Sequence, residues 1–479
     1  MGARERFYAD IMATHPEVTG SCNLVVVKFP DDTTTRFIVD CGMFQEAKYN
    51  DAEEGHDYNK DFPFNAEEIE FCLVTHVHVD HVGRLPLLVK QGFRGKIYST
   101  AGTKVLSNPA ILDSAKVIRN TAKRKHVKPL YMETDAELAL SLFTPCQYKE
   151  TIKVSKRIKA TFFKNGHLPG AACILVQISY PGQNSINLLF TGDYNNKNMF
   201  LDIPEQLPSW VRSLPLTVIQ ESTYGTTDST SNGKCFEDNM IRCLKHGGTA
   251  VDMVFSLGRA QEILYVLKTM QDSGKLDTGI PIAFDGNLAH YYTRLYQNAD
   301  ELNIKSGMRD FLPENLIFVD RTSRASVLTS NEQKIIVTTA GMGSYGPAQM
   351  YIPEYITRKN CLLQFSGYTA PDTLGGKLKS TPVGKPVEIG SIIRKKEAEV
   401  AYTTEFSAHA KADEMIDFLK QFENLKLVLV NHGEANTKIA FAERIVEEVD
   451  PKYVAILGRE YMFRVNGYGL FRQFSSKFK

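Results

Sequence analysis

The sequence predicts an α/β protein of two domains, one of them inserted into the other. The chain has 479 residues, more than one hydrophobic core accommodates. Short apolar runs alternate with helical patterns, as in α/β folds. The pattern changes near residue 235 and returns near residue 400 without a Gly/Ser linker, which favours an insertion over two domains in series.

The first part of the chain is predicted to form a core of short strands. Its apolar runs are rich in β-branched or large side chains and end at turn residues. The predicted strands are residues 23–28, 35–39, 69–75, 160–163, 174–178, 186–190 and 216–219. Helical patterns cover residues 85–90 and 109–124. These elements predict a sheet core covered by helices.

The middle of the chain is predicted to alternate strand and helix. Residues 250–255 predict a strand, Gly258 a turn, and residues 259–270 a helix. Further strands are predicted at 280–285, 316–319 and 334–338, each expected to be buried by a neighbouring helix. After residue 400 the shorter units return, with strands at 399–403 and 426–430 and helices at 413–421 and 438–449.

Composition excludes several classes of protein. Hydrophobic residues make up 43% and charged residues 23% of the chain, which excludes a disordered chain. The net charge is +1, so any phosphate-binding surface must be local. Eight cysteines without CxxC pairs predict buried thiols in a reducing compartment. No apolar run reaches 18 residues and no N-terminal signal sequence is evident, so we predict a cytoplasmic location, with the nucleus as the alternative.

The densest chemical signal follows the predicted strand 69–75. His76, His78, Asp80 and His81 lie within six residues, on a loop that leaves a buried strand. Imidazole and carboxylate are the natural ligands of zinc, with some tolerance for manganese or iron. The alternative is that one or two of these side chains only pack in the core or face solvent. Such a cluster favours a site for two metal ions.

Three further polar residues follow apolar strands. They are His167, Asp193 and His432, each with a glycine nearby that lets the backbone approach closely. Taken singly, each could be a turn residue. Together with the histidine cluster they give the seven ligands that two metal ions need, and Asp193 can bridge the two ions.

At this point the sequence resembles a known family. Asp40, the cluster from His76 to His81, His167 and Asp193 resemble the metallo-β-lactamase superfamily. Four further motifs resemble the β-CASP nucleases, which include bacterial and archaeal RNA-processing enzymes and the eukaryotic pre-mRNA 3′-end endonuclease. These motifs are Gln220-Glu-Ser-Thr-Tyr-Gly225, Phe255-Ser-Leu-Gly-Arg-Ala-Gln261, Phe406-Ser-Ala-His-Ala410 and Val430-Asn-His-Gly-Glu434. The resemblance extends from about residue 18 to about residue 460 in the expected order.

The resemblance implies a fold and a set of roles. The fold is a metallo-β-lactamase αββα sandwich, residues 1–225 and 401–479, with a β-CASP α/β domain inserted at 226–400. Two Zn²⁺ ions are implied, with Mn²⁺ as an alternative, and Asp193 would bridge them. One zinc would be held by His76, His78 and His167, and the other by Asp80, His81 and His432. The implied catalytic residues are Asp80, Asp40, Glu221 and His409. Asp40 would orient a ligand imidazole, and His409 would be the general acid, paired with Glu221.

The resemblance further implies a zinc-dependent ribonuclease that attacks RNA with a hydroxide activated by two metal ions. The expected partner is single-stranded RNA, and no membrane partner is expected. A homodimer is possible. The resemblance does not decide whether the enzyme cuts RNA internally or degrades it from a 5′ end. A small-molecule hydrolase of the superfamily is one alternative. An inactive scaffold subunit of an RNA-processing complex is another, although the chain retains all seven ligands.

The predicted substrate contacts rest on weaker signals. Lys123 and Arg124 belong to a basic run at 116–128 that could follow an RNA backbone, or could be a solvated helix face. Arg259 and Ser344 could present backbone N–H groups to phosphate, or could lie in simple turns. At Lys411 the chain departs from the family, which usually has aspartate there.

Overall fold

The computed structural model describes residues 6–14, 18–45, 57–229, 235–367, 369–370, 373–403, 405–469 and 471–475. The chain divides into two compact units. The first comprises 1–229, 301–303 and 408–479, and the second comprises 230–300 and 304–407. The second unit is therefore inserted between parts of the first. The domain boundaries expected from the sequence, 1–225, 226–400 and 401–479, remain a proposal.

The strands are numbered along the chain. They are β1 (Tyr8–Ala13), β2 (Asn23–Lys28), β3 (Thr34–Val39), β4 (Phe71–Leu73), β5 (Lys96–Thr100), β6 (Phe143–Cys146), β7 (Thr151–Ser155), β8 (Ile158–Lys164), β9 (Ala172–Ile178), β10 (Ile186–Phe190), β11 (Leu216–Glu221), β12 (Ala250–Met253), β13 (Ile282–Asp285), β14 (Leu316–Val319), β15 (Ile335–Thr338), β16 (Leu362–Phe365), β17 (Pro386–Ile389), β18 (Ile392–Lys395), β19 (Glu399–Tyr402), β20 (Leu425–Asn431), β21 (Val454–Ile456), β22 (Tyr461–Val465) and β23 (Phe471–Ser475).

The helices are numbered in the same way. They are α1 (Val79–Val82), α2 (Leu85–Lys90), α3 (Ala101–Lys125), α4 (Glu133–Ser141), α5 (Ser209–Arg212), α6 (Cys235–Lys245), α7 (Arg259–Asp272), α8 (Asn287–Asn298), α9 (Arg324–Thr329), α10 (Ala348–Tyr355), α11 (Leu374–Ser380), α12 (Ala412–Lys420) and α13 (Ala435–Glu448). Two short 3₁₀ helices cover Ala66–Glu68 and Asp300–Leu302.

Two stacked sheets form the centre of the first unit. The strand orders are β23-β22-β1-β2-β3-β4-β5-β6 and β21-β20-β11-β10-β9-β8-β7. Alternate residues such as Val25 of β2 and Leu188 of β10 form the core between the sheets. Their neighbours, such as Leu24 and Leu189, pack instead with residues of helices on the outer faces. This order of layers confirms the predicted αββα sandwich.

The strand directions explain why polar residues far apart in the chain meet. In the second sheet, β8 and β10 are both antiparallel to β9 and therefore run the same way. Strands β10, β11 and β20 are parallel to one another, and β3 is parallel to β4 in the first sheet. The carboxyl ends of parallel strands lie at one edge of a sheet, so the residues that follow β8, β10, β11 and β20 converge there.

The second unit contains a six-stranded sheet. Its order is β14-β13-β15-β12-β16-β19, and every pair is parallel. The expectation that strand 316–319 is buried is wrong, because β14 lies at the sheet edge. Ile317 is 48% exposed and Phe318 is 42% exposed. An edge strand has a neighbour on one side only, so its apolar sequence does not guarantee burial.

Two other expectations need correction. The helix predicted at 109–124 begins at Ala101, because Thr100 caps it by accepting a hydrogen bond from the Thr103 N–H at 3.1 Å. Pro109 therefore lies inside the helix rather than at its start. Of the eight cysteines, Cys235 is exposed, whereas the other seven are buried free thiols. Within the described residues, we find no helix with the length and hydropathy needed to cross a membrane, and the cytoplasmic location stays a prediction.

Replacement of Leu188 by alanine is expected to lower the free energy of unfolding by about 2–5 kcal/mol, since the side chain is fully buried between the sheets. The midpoint of urea unfolding measures this. The matched control is Leu138→Ala in α4, where the side chain is 43% exposed and the change should stay within about 0.5 kcal/mol. Equal effects of the two variants would contradict the assigned core.

Candidate metal centre

Seven polar residues lie past strand ends at one edge of the two sheets. His76 and His78 follow β4, and the chain then turns into α1, which carries Asp80 and His81. His167 follows β8, Asp193 follows β10 and His432 follows β20. Gly42 is required beside this loop, because a Cβ there would overlap the Asp80 carbonyl. The first sheet thus supplies four of the seven predicted ligands and the second supplies three.

The first group of predicted ligands lies in contact. His76, His78, His167 and Asp193 place one ligand atom each within 4.8 Å of the others. The His78 Nδ1 lies 3.2 Å from His76 Nε2 and 3.0 Å from His167 Nε2. The Nδ1 of His167 is 2.8 Å from the Ala408 carbonyl, to which it donates. That bond leaves Nε2 of His167 available to a metal ion.

The second group shares Asp193 with the first. Asp80, His81, Asp193 and His432 also place ligand atoms within 4.8 Å of one another. The Oδ1 of Asp193 lies 3.3 Å from His81 Nε2 and 3.1 Å from His432 Nε2. Its Oδ2 lies 3.6 Å from His76 Nε2 and 3.9 Å from His167 Nε2. Asp193 therefore offers a different oxygen to each group, which is the geometry a bridging ligand needs.

A buried network orients His81. The Asp40 Oδ2 accepts a hydrogen bond from His81 Nδ1 at 2.8 Å, and Asp40 Oδ1 accepts one from the Thr75 N–H at 2.8 Å. Asp40 holds a left-handed backbone with φ of 64°, and His432 does so with φ of 45°. This conformation costs free energy for a non-glycine residue, and residues that adopt it are often found at functional sites. Asp40 thus fixes the ring so that Nε2 faces Asp193.

The donor set fits a divalent cation. Burial lowers the pKa values of His76 and His78 well below the ordinary value, and burial together with the charge of His409 lowers the pKa of His167 to about 4. Neutral imidazoles are the form that binds metals. His81 Nε2 and Asp193 Oδ1 are inaccessible and lie 3.3 Å apart, but among the described residues neither atom makes a hydrogen bond of good geometry. Such orphaned buried atoms indicate a missing partner, and a metal ion satisfies both.

His409 and Glu221 form a pair beside these groups. The Nδ1 of His409 lies 3.0 Å from Glu221 Oε2, and Glu221 Oε1 accepts a hydrogen bond from the Tyr194 N–H at 2.7 Å. Asp193, Glu221 and His409 form a third set of ligand atoms within 4.8 Å. Burial lowers the pKa of His409, but the charge and hydrogen bond of Glu221, together with the charges of Asp193 and Asp80, outweigh burial and raise that pKa to about 9. The imidazole therefore carries a proton at neutral pH.

The predicted substrate contacts are not part of these groups. Lys123 and Arg124 are exposed in the last turn of α3. Arg259 is only 9% exposed, and its Nη1 donates to Glu262 Oε2 at 2.6 Å. The Ser344 Oγ accepts a hydrogen bond from the Leu374 N–H at 3.0 Å. Their contacts with a substrate stay a prediction.

Sequence reasoning missed several residues that hold the site. The Asn165 Nδ2 donates to the carbonyls of Thr191 at 3.1 Å and Asp193 at 2.8 Å, which joins the His167 and Asp193 loops. A turn-forming asparagine two residues before His167 was the available signal. The ring of Tyr224 meets His409 edge to face, with centroids 5.9 Å apart. Nothing in the local sequence around Tyr224 predicts that contact.

Three family models match the chain in order. A Metallo-beta-lactamase superfamily domain matches residues 28–209, a Beta-Casp domain matches residues 260–378, and a Zn-dependent metallo-hydrolase RNA specificity domain matches residues 395–456. Together they cover well over half of the chain. The β-CASP match falls within the inserted unit. The metallo-β-lactamase match lies before that unit, and the third match begins in its last residues and continues into the C-terminal part of the first unit.

Named relatives extend over nearly the whole chain. Ribonuclease TTHA0252 of Thermus thermophilus is 29% identical over 465 residues, covering 95% of this chain and 97% of the relative. Transcription termination factor FttA of Methanosarcina mazei is 28% identical over 460 residues, covering 90% of this chain and 68% of the relative. A crystal structure of a protein of unknown function from Enterococcus faecalis V583 shares the fold, with a TM-score of 0.53 at 12% identity, covering 98% of this chain and all of that one.

Proposed function

This chain belongs to the β-CASP family of metal-dependent nucleases within the metallo-β-lactamase superfamily, and from that premise we propose that it hydrolyses phosphodiester bonds of single-stranded RNA. The observation that carries the proposal is the position of Asp193. Its two oxygens face two separate groups of imidazoles, and the protonated His409 lies beside them. This arrangement suits a phosphate that is bound by two cations next to a general acid, His409.

Zinc is the proposed metal, with two ions per chain and manganese as the alternative. Five imidazoles and two carboxylates form the donor set, which suits zinc better than magnesium or calcium. His76, His78 and His167 would hold one ion, Asp80, His81 and His432 the other, and Asp193 both. Bound divalent cations would supply a nucleophile at neutral pH and neutralise charge on the phosphate oxygens.

Protein side chains would supply the proton that the leaving 3′ oxygen needs. Water adds to phosphorus, the bond from phosphorus to the 3′ oxygen breaks, and the products are a 3′-hydroxyl and a 5′-phosphate. His409 binds Glu221 through Nδ1, which leaves Nε2 to donate its proton to the departing 3′ oxygen. Glu221 is held by the Tyr194 N–H, so the carboxylate keeps the imidazole both oriented and charged.

RNA is the proposed substrate for two reasons. One matching family model is described as an RNA specificity domain and covers the segment with His409 and His432. The Thermus thermophilus relative is named a ribonuclease. The rival proposals are a hydrolase of small esters, lactams or thioesters and an inactive scaffold, and the His409–Glu221 pair argues against both.

The test is cleavage of single-stranded RNA labelled at the 5′ end and, separately, at the 3′ end, with nitrocefin assayed in parallel. We expect cleavage of RNA and no hydrolysis of nitrocefin, with the two labels separating internal cutting from degradation from the 5′ end. Rapid nitrocefin hydrolysis without RNA cleavage would favour the small-molecule enzyme. Less than about one zinc per purified chain, not restored by added metal, would favour the scaffold.

A further inference from the structure

Lys411 occupies an unusual position beside His409. It precedes α12, and its Nζ lies 3.7 Å from the centroid of the Tyr224 ring. This Nζ is inaccessible and makes no hydrogen bond to any residue in the described part of the chain. A buried ammonium group without hydrogen bonds is costly, and stacking on an aromatic ring offsets only part of that cost. The ring of Tyr224 is therefore the main contact of this charge.

The nearest carboxylates are engaged elsewhere. Glu414 accepts a hydrogen bond from the Lys411 N–H at 2.9 Å and pairs with Lys197 at 3.0 Å. Asp413 accepts hydrogen bonds from the N–H and the hydroxyl of Ser229. Neither forms an ion pair with Lys411 Nζ, so their charges act on the ammonium group without direct contact, whereas the Tyr224 ring contacts it.

The backbone on both sides of Lys411 is fixed. The Ala410 N–H donates to the Tyr194 carbonyl at 2.7 Å, and the Ala412 N–H donates to the Thr227 carbonyl at 2.8 Å. The side chain therefore starts from a fixed point of the backbone, from which Nζ reaches the face of the Tyr224 ring. The N–H of Tyr194 also donates to Glu221, so Tyr194 binds both the carboxylate that pairs with His409 and the backbone that leads to Lys411.

Tyr224 passes this constraint to His409. Its ring meets the imidazole at an interplanar angle of 66°, with centroids 5.9 Å apart. Glu221 holds the same imidazole at Nδ1. The His167 ring also meets this imidazole edge to face, with centroids 4.9 Å apart. A hydrogen bond at one atom still allows a ring to rotate, so the two aromatic contacts restrict that motion, and Tyr224 is the one that contacts Lys411.

We propose that Lys411 and Tyr224 are positioning residues for proton donation: the ammonium group of Lys411 holds the Tyr224 ring, and the ring keeps His409 Nε2 aimed at the leaving 3′ oxygen. The proposal rests on the proposed nuclease function. It assigns a role to the position at which this chain departs from the aspartate usual in the family. The pair acts on the leaving-group step alone, and neither residue is expected to affect metal binding.

The test compares two substrates, ordinary RNA and RNA with a bridging 3′ sulfur at the cleaved bond. A thiolate can leave without a proton, because a thiol ionises with a pKa of about 8.5. With ordinary RNA, Lys411→Met and Tyr224→Leu should lower kcat about tenfold, with KM within about twofold of wild type. With the sulfur substrate both variants should match wild type. Lys411→Arg and Tyr224→Phe keep the cation and the ring and should retain most of kcat.

Lys420→Met, at the other end of α12, is the matched control and should behave as wild type. An equal loss on both substrates, or a loss in KM alone, would overturn the proposal, because a folding defect or a substrate contact predicts that outcome. Absence of cleavage of either substrate by the wild-type protein would instead count against the nuclease function itself. Zinc content and thermal unfolding of each variant show whether the fold is intact.

Discussion

Replacement of Asp193 by alanine is expected to lower kcat/KM for RNA by more than about 10³-fold and to remove bound metal. The two oxygens of Asp193 face the His76 and His432 sides of the site at 3.6 Å and 3.1 Å. Losing them leaves two groups of buried imidazoles without the carboxylate that links them. Single-turnover cleavage and metal analysis of the purified variant measure the effect.

Two variants sharpen this experiment. Asp202→Ala removes an exposed carboxylate further along the same loop and should leave cleavage and metal content unchanged. Asp193→Asn keeps one oxygen but loses the charge, so it should retain part of the metal and little of the activity. If Asp193→Ala kept two metal ions and full activity, the proposed bridging role would be wrong.

The positions of the site residues could be predicted because they follow from chain direction. Strands such as Asn23–Lys28 and Ile186–Phe190 have the bounds that their β-branched and large apolar residues indicate. A polar residue that follows such a strand lies at the sheet edge. The sequence predicts that His167, Asp193 and His432 join the histidine cluster because each follows an apolar strand and the cluster alone is too small for two metal ions, and the structure brings them together. Their roles as metal ligands remain predictions.

Other features of the site depend on tertiary packing. The left-handed backbone of Asp40 and His432 gives no sequence signal, because neither residue is glycine. The stacking of Lys411 on Tyr224 joins residues far apart in the chain, and only the folded structure brings them into contact. The exposure of Ile317 has a similar origin, since the sequence of a strand does not reveal whether it ends up at a sheet edge. Local sequence fixes elements, whereas these contacts depend on how the elements pack.

Replacement of His409 by alanine is expected to lower kcat for RNA by about 10²–10⁴-fold while leaving the metal content unchanged. The imidazole is held by Glu221 at 3.0 Å, and that carboxylate, together with the charges of Asp193 and Asp80, raises the pKa of His409 to about 9. A protonated ring is a poor metal ligand and a ready acid, so the loss should fall on the chemical step. Single-turnover cleavage combined with metal analysis separates these two effects.

Glu221→Gln should lower kcat in the same direction but by less, since the amide can still orient the ring but no longer favours its charge. His246→Ala, which removes an exposed histidine from the second unit, is the control and should leave both quantities unchanged. On RNA with a bridging 3′ sulfur, His409→Ala should recover most of its activity, because the thiolate needs no proton. Loss of metal from His409→Ala would contradict the role as acid, since it would show that His409 binds a cation together with Asp193 and Glu221, the third close set of ligand atoms.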